Sequence, residues 1–332
     1  MFRRLFSSAG QGTDKNESSA EKRKIPFSAS IYTPRWRLKN YYALKEFGPA
    51  VKRWYIEQRY TYHLGEFPDL DNPKTFNEKI HWLNLNYHNP LITRCCDKYE
   101  MKNYVGEILG SGHTAQVLQV YEKANDIDFT SLPDRFAVKV NWGDGSEFSF
   151  VTADKSAEDI NILKARMSSC LCPWNNLYYS HFFWGYKNVV PRLFAEEYIE
   201  HGSGDLTDYK VHCFNGRAEI ILVCEDRSAG SAMKKTFLDT GWNVLECRRR
   251  GTVVNSSVKK PDVFEEMIAA AEKLAQPFPF VRVDFYISEN RIIVGEMTFH
   301  PGCGFEEFYP YEWNRKLGDM LILPEKMTDK NE

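Results

Sequence analysis

What this chain lacks narrows its chemistry before any motif is considered. Its eight cysteines contain no CxxC pair, and the closest spacings, Cys95-Cys96 and Cys170-x-Cys172, fit no structural zinc site. Cysteines inside strand-like runs, such as Cys213 and Cys224, behave as small buried hydrophobes, which points to reduced thiols and a cytoplasmic setting. No block of one charge sign occurs: Lys and Arg interleave with Asp and Glu to a net charge of −2, so a nucleic-acid partner is not expected. The densest basic spot, Arg248–Arg250, reads as a solvated loop. No run is long and apolar enough for a transmembrane segment, and the opening Met1-Phe2-Arg3-Arg4-Leu5-Phe6 gives way at once to polar residues instead of a signal-peptide core. Internal repeats, a Walker A motif and a Ser-His-Asp or Cys-His arrangement are also missing from the sequence.

What remains is a chain of 332 residues, 43% hydrophobic, with room for a sizeable core. Residues 1–24 are poor in bulky apolar side chains and read as a flexible tail; 25–70, rich in aromatics at helical spacing, read as an N-terminal helical extension. From residue 71 to 332 helical and strand patterns mix, and a single α+β domain is expected. Thr75 and Glu78 form a capping box for a helix through Trp82 and Leu85, and another helix starts near Asp97. Short strands follow at Phe136–Val140, Phe148–Thr152, Arg192–Ile199, Tyr209–Phe214 and Ala218–Cys224, with Asn215-Gly216 as a hairpin turn between the last two. Asn243 beside Trp242 marks a weaker turn. An amphipathic helix over Pro261–Ala275 precedes a second hairpin, Phe280–Ile287 and Arg291–Phe299, so the sheet is largely antiparallel.

That last hairpin carries the densest chemistry. Arg282, Asp284 and Tyr286 alternate with apolar residues on one strand, as Glu296 and Thr298 do on the next, so two carboxylates converge. Facing acids repel unless a cation intervenes, and Asp284 with Glu296 suits magnesium shared with nucleotide phosphates; the competing reading is a solvated sheet face on which Arg282 pairs one acid. Lys139 ends a strand before the loop Asn141-Trp142-Gly143-Asp144-Gly145-Ser146, where backbone N–H groups and an ammonium can cradle phosphate. The strand end Glu196-Glu197-Tyr198-Ile199 can offer backbone groups to an adenine edge, or be an ordinary edge strand. His300-Pro301-Gly302-Cys303-Gly304 is either an oxyanion-binding loop or a turn, and Cys303 has no base identifiable beside it. Aromatics from Trp174 to Trp184 either stack on sugar faces or pack between helices.

Taken in order, Asp97-Lys98, Lys139 with its glycine loop, Glu196-Glu197-Tyr198-Ile199, Asp208-Tyr209-Lys210, Arg282-x-Asp284 and Glu296-x-Thr298 resemble the ATP-grasp superfamily. Asn72-Pro73-Lys74-Thr75-Phe76-Asn77-Glu78-Lys79, Asp208–Gly216 and Gly295-Glu296-Met297-Thr298-Phe299 resemble the teichuronopeptide-biosynthesis-like ATP-grasp family, over roughly Asp71–Gly318. The resemblance implies an ATP-grasp fold: two α+β subdomains, about 97–195 and 196–318, gripping ATP between mainly antiparallel sheets. It assigns ATP to Lys139, Gly143, Gly145, Ser146, Glu196, Glu197, Tyr198, Ile199 and Lys210, magnesium to Asp284 and Glu296, and transfer-state stabilisation to Arg282 and Lys210. Thr298 departs from the Glu-x-Asn common in the superfamily and is a weaker magnesium ligand. The implied reaction joins a carboxylate to an amine through an acyl phosphate, the partners being a carboxylate-bearing saccharide or polymer and an amine such as an amino acid. Other readings are a nucleotide-sugar glycosyltransferase of polysaccharide biosynthesis, an ATP-grasp kinase, and a non-catalytic scaffold. The sequence does not specify an oligomeric state.

Overall fold

The computed structural model describes residue 41 and residues 49–143, 146–200, 206–225 and 234–328. The expected tail over 1–24, most of 25–48, Gly145 and the loop 201–205 lie outside the described residues. Among the described residues no helix is long and apolar enough to cross a membrane.

Four helices lead into the sheets: α1 (Pro49–Leu64), α2 (Phe76–Asn86), α3 (Pro90–Cys96) and α4 (Lys98–Leu109). The expected capping box forms at α2, with Thr75 accepting from the Glu78 amide and the Glu78 side chain returning to the Thr75 amide. Asp97 caps α4 in the same spirit, its carboxylate accepting from the amides of Tyr99 and Glu100.

The first sheet is antiparallel and four-stranded: β1 (Val117–Tyr121), β2 (Phe136–Val140), β3 (Ser149–Thr152) and β4 (Leu193–Glu197), in the order β1-β4-β2-β3. It shares a core with α5 (Ile160–Cys170), whose Leu163, Met167 and Cys170 meet Phe136, Val138 and Val140. A short helix α6 (Leu177–His181) follows α5.

The second sheet is five-stranded: β5 (Asp208–Phe214), β6 (Arg217–Glu225), β7 (Lys234–Asp239), β9 (Phe280–Ser288) and β10 (Arg291–Thr298), in the order β10-β9-β5-β6-β7. Every pairing is antiparallel. Asn215 (φ 51°) and Gly216 (φ 81°) make the expected turn between β5 and β6, and Glu289 with Asn290 turns β9 into β10. Helix α7 (Phe264–Ala275) lays Phe264, Met267, Ala271 and Leu274 on one face, against Val211, Val281 and Val283. Burying each such large side chain stabilises the fold by about 1.5–3 kcal/mol. The opposite face packs Phe214, Phe237 and Phe280 against Phe76 of α2 and Leu317 of α8 (Glu312–Met320).

Arg248 and Arg249 are not a solvated loop. They form β8 (Arg248–Arg249), which pairs with β11 (Phe308–Tyr309). Arg249 reaches the buried Glu306 carboxylate, and Arg248 lies 4.3 Å from the centre of the Tyr309 ring. Opposite charge and a ring face draw this basic spot onto the protein.

The seat of α8 on α2 depends on a missing side chain. A Cβ at Gly318 would stand 2.2 Å from the Lys74 carbonyl oxygen and 2.8 Å from the Phe76 nitrogen, both backbone atoms that have no rotamer to escape into. Gly318→Ala is therefore expected to cost about 1–3 kcal/mol of stability, read as a lower urea midpoint at unchanged slope.

Candidate active site

The charged residues expected to converge do so on the face of the five-stranded sheet opposite α7. Strand register places Lys210 beside Asp284, His212 beside Arg282, Glu296 beside Asp284, and Thr298 beside Arg282. A bulge between Val294 and Glu296 makes this possible. Val294 faces the α7 core, and the extra residue turns Glu296 and Thr298 to the other side.

Arg282 is the centre of this group. Its Nε and Nη2 donate to the two carboxylate oxygens of Asp284 at 2.6 and 2.7 Å, and Nη2 also reaches Thr298 Oγ1 at 3.1 Å and Glu296 Oε1 at 3.3 Å. Lys210 Nζ donates to Asp284 Oδ2 at 2.5 Å and lies 3.3 Å from Asp208. The Thr298 hydroxyl accepts from Arg282 and donates to Glu296 Oε1 at 3.1 Å, so it holds both partners in place. Arg282 pairing with an acid, the alternative to metal binding in the sequence reading, is thus present.

The two carboxyls titrate apart. Burial raises Asp284, against the pull of Arg282 and Lys210 and with the repulsion of Glu296. Burial also opposes ionisation of Glu296, but Lys98, Lys210 and Arg282 outweigh it and hold that carboxyl well below the usual range. Among the described residues no three His, Cys, Asp or Glu side chains gather as a metal cage. Two facing carboxylates fit magnesium, which is held by one or two protein carboxylates and completes its shell with phosphate oxygens and water.

On the four-stranded sheet, Lys139 and Glu196 pair directly, and Lys102 of α4 lies 2.7 Å from Glu196 Oε2. Burial raises the Glu196 carboxyl, yet the Lys139 and Lys102 ammonium groups bring it below its ordinary value. Glu197 is exposed and exchanges bonds with Gln116, accepting from its amide at 3.0 Å and donating its own amide to the Gln116 carbonyl at 2.9 Å. The Tyr198 ring carries the Arg135 guanidinium 4.4 Å from its centre, and Ile199 follows, half-buried. Gly143 is buried against Phe148, where a Cβ would stand 2.2 Å from the Phe148 Cβ. Ser146 opens a short 3-10 turn, and Gly145 lies outside the described residues.

Lys98 joins the two sheets. Its ammonium donates to the Gly143 carbonyl at 2.6 Å and lies 3.5 Å from Glu296 Oε2. Buried Asn141 fixes the start of α4, donating to Asp97 Oδ2 at 2.8 Å and to the Val190 carbonyl at 2.8 Å, while the Lys98 amide donates to the Asn141 carbonyl. Lys98, Lys102 and Asn141 were not singled out as site residues from sequence. Their signal was the Asp97 cap, which sets Lys98 and Lys102 on one face of α4 four residues apart.

A cavity of about 270 Å³ opens beside Lys98, Gly143, Arg282, Glu296 and Thr298. Ser180, His181 and Phe183 form one wall, and His300, Gly302 and Cys303 the other. Phe183 stacks on His300 with centroids 4.1 Å apart and planes 7° from parallel. Burial pushes the His300 imidazole down to about 3, so it is neutral. Phe182 and Trp184 are buried away from this cavity and pack, whereas the buried Phe183 also lines it. All eight cysteines are free, and Cys303 is half-buried.

Two antiparallel sheets bridged by a helix-borne lysine, with cations and carboxylates gathered between them, make this an ATP-grasp protein. A family model described as TupA-like ATPgrasp matches residues 78–322, and the chain belongs to that family. Among solved structures, it is similar to D-alanine–D-alanine ligase from Bacillus anthracis, at 15% identity and a TM-score of 0.43 over 74% of this chain and 73% of that one. The same ligase complexed with ATP aligns at 15% identity and a TM-score of 0.42, over 68% of this chain and 64% of that one. D-cycloserine synthetase DcsG aligns at 13% identity and a TM-score of 0.40, over 70% and 71%. The match to the ATP-complexed ligase thus spans less than two thirds of its length. No curated protein matches the chain.

Two outcomes follow from the charge network. The folded Glu196 carboxyl lies below its ordinary 4.5, so its contribution to stability is complete above that pH and is lost as pH falls through the lowered value. Melting temperatures between neutral and acid pH should fall less steeply for Glu196→Gln than for wild type. Arg282→Ala leaves buried Asp284 and Glu296 facing each other and is expected to cost about 3–5 kcal/mol, part of which millimolar magnesium restores in a thermal melt.

Proposed function

We propose that the chain is an ATP- and magnesium-dependent ligase that joins a carboxylate to an amine through an acyl phosphate. The observation that carries this reading is the meeting of Asp284, Glu296, Arg282, Lys210 and Lys98 on one polar face at the mouth of a cavity. The nucleotide lies between a first lobe, about 97–195, and a second, about 196–318. Lys139, Gly143, Gly145 and Ser146 contact it from the first lobe, and the strand end Glu196–Ile199 contacts it where the second begins. Asp284 and Glu296 hold magnesium, which supplies charge neutralisation at the phosphates. Lys210 and Arg282, now bonded to Asp284, exchange part of that bonding for phosphate oxygens when nucleotide enters.

In the first step a substrate carboxylate oxygen bonds to the γ-phosphorus as the bond to the ADP oxygen breaks. In the second the amine nitrogen bonds to the acyl carbon, phosphate leaves with the C–O electron pair, and the nitrogen gives up a proton. Neither step needs a nucleophilic side chain, so the protein's contribution is placement and charge. Arg282 and Lys98, bordering the cavity, neutralise the carboxylate that reacts there. The cavity volume suits one reacting unit of a larger acid. Resemblance to teichuronopeptide-biosynthesis proteins favours a saccharide or its uronic-acid precursor as that acid and an amino acid or peptide as the amine. The free, mostly buried cysteines favour a cytoplasmic site of action.

Calorimetry with ATP, GTP and a set of nucleotide sugars tests the reading. Magnesium-dependent ATP binding is expected to weaken at least about 10-fold in Asp284→Asn/Glu296→Gln, since neutralising the ligands costs no less than disturbing the groups that orient them. ADP release should then require an acid and an amine together. Tight nucleotide-sugar binding without ATP binding would instead establish a glycosyltransferase, and a phosphorylated product formed without amine would establish a kinase.

A further inference from the structure

Helix α1 ends at Leu64, ahead of residue 78 where the family match begins, yet it reaches Ser180 in one wall of the cavity and Phe305, two residues past Cys303 of the other. On one side the Tyr55 hydroxyl donates to the Ser180 carbonyl at 3.2 Å, and its ring meets the edge of Phe182 at 4.9 Å. On the other, the Arg59 guanidinium lies 5.1 Å from the centre of the Phe305 ring, and His63 stacks on that ring at 4.8 Å. Arg59 also lies 5.7 Å from the Tyr55 ring, so one side chain spans the gap between the two contacts. Behind it, His81 Nε2 lies 3.0 Å from the Gly304 carbonyl oxygen, which pins the end of the His300–Gly304 wall.

Arg59 is unusual for a buried arginine. It is 6% exposed and its Nε has no hydrogen-bond partner among the described residues. Buried arginines are ordinarily paired. Stability alone favours an apolar group at such a position, so a guanidinium placed between the Tyr55 and Phe305 rings points to a demand for a rigid spacer of fixed length. The cavity supplies that demand: its walls touch each other through Phe183 and His300, and among the described residues α1 contacts the first at Ser180 and reaches Phe305 beyond the second.

We infer that α1 is a working part of the acceptor site, with Arg59 and Tyr55 as positioning residues that set the separation of the two cavity walls. This rests on the ligase reading for what the cavity binds, but not for the mechanical role. A displaced wall moves the reacting carboxylate relative to Arg282 and Glu296 while leaving the nucleotide contacts intact. The α1 contacts therefore act on the acid substrate and not on ATP.

Hydrogen exchange followed by mass spectrometry on the full chain tests this, using wild type, Arg59→Ala, Arg59→Lys and Tyr55→Phe. In Arg59→Ala the amides of residues 180–186 and 302–305 should exchange about tenfold faster, as expected for local release without global unfolding. Amides of β9 and β10 should be unchanged, and magnesium-ATP affinity should stay within about twofold of wild type, the reproducibility expected of a site left untouched. Arg59→Lys, which keeps a cation between the rings, should restore slow exchange at both walls, and iodoacetamide should label Cys303 faster in the alanine variant alone. Tyr55→Phe, which removes the bond to Ser180 and keeps the ring, should loosen residues 180–186 and carries the test if Arg59→Ala does not fold. Faster exchange throughout the chain, faster exchange confined to α1, or no rescue by lysine would overturn the inference. Absent ATP binding in wild type would sink the ligase reading and leave the wall result standing.

Discussion

The bidentate pair between Arg282 and Asp284, deep in a sheet face, is the constraint that organises the rest of the site. Its neighbours on that face are phenylalanines: Phe214, Phe237 and Phe280. Removing a guanidinium and a carboxylate from water costs several kcal/mol for each ion, and mutual attraction rarely leaves a net gain over apolar packing. A sheet optimised for stability alone would carry valine or leucine there. The fold instead spends additional groups, Lys210, Thr298, Glu296 and Lys98, on satisfying this charge. The result is a preorganised polar surface inside an apolar frame, the setting in which electrostatic stabilisation of a transferring phosphoryl group is strongest.

A second constraint is the link between sheets. Asn141 bonds to Asp97 and to the backbone at Val190, so the start of α4 is fixed to the loop that leaves β2. From that helix Lys98 reaches Glu296 in the five-stranded sheet and Lys102 reaches Glu196 in the four-stranded one. One rigid helix therefore reports on both halves. Any nucleotide that draws Lys98 or Lys102 toward phosphate loosens a contact to one sheet, which couples ligand binding to the relation between the lobes.

Much of this was legible in the sequence because it is local. The Thr75–Glu78 capping box, the Asn215-Gly216 turn and the amphipathic face of Phe264, Met267, Ala271 and Leu274 each follow from short-range rules and appear in the structure. Alternation placed Arg282 and Asp284 on one face. It did not reveal the bulge after Val294, without which Val294 and Glu296 would share a side. Contacts set by tertiary packing were invisible for the same reason. Lys139 meets Glu196 only because β2 lies beside β4, and Arg249 leaves solvent only because Glu306 arrives from fifty-seven residues away. The placement of α1 against the cavity walls belongs to this class: its helical pattern was readable, its destination was not.

The most direct test of the proposal that Asp284 and Glu296 hold a nucleotide-bound divalent ion, with Lys210 and Arg282 giving up part of their bonding to Asp284, is anomalous diffraction from crystals grown with manganese and a non-hydrolysable ATP analogue. A manganese peak between the Asp284 and Glu296 carboxylates, with triphosphate oxygens completing its shell and Lys210 turned toward phosphate, is the predicted result. A nucleotide bound with manganese elsewhere, and with the Arg282–Asp284–Lys210 bonds unchanged, would contradict it.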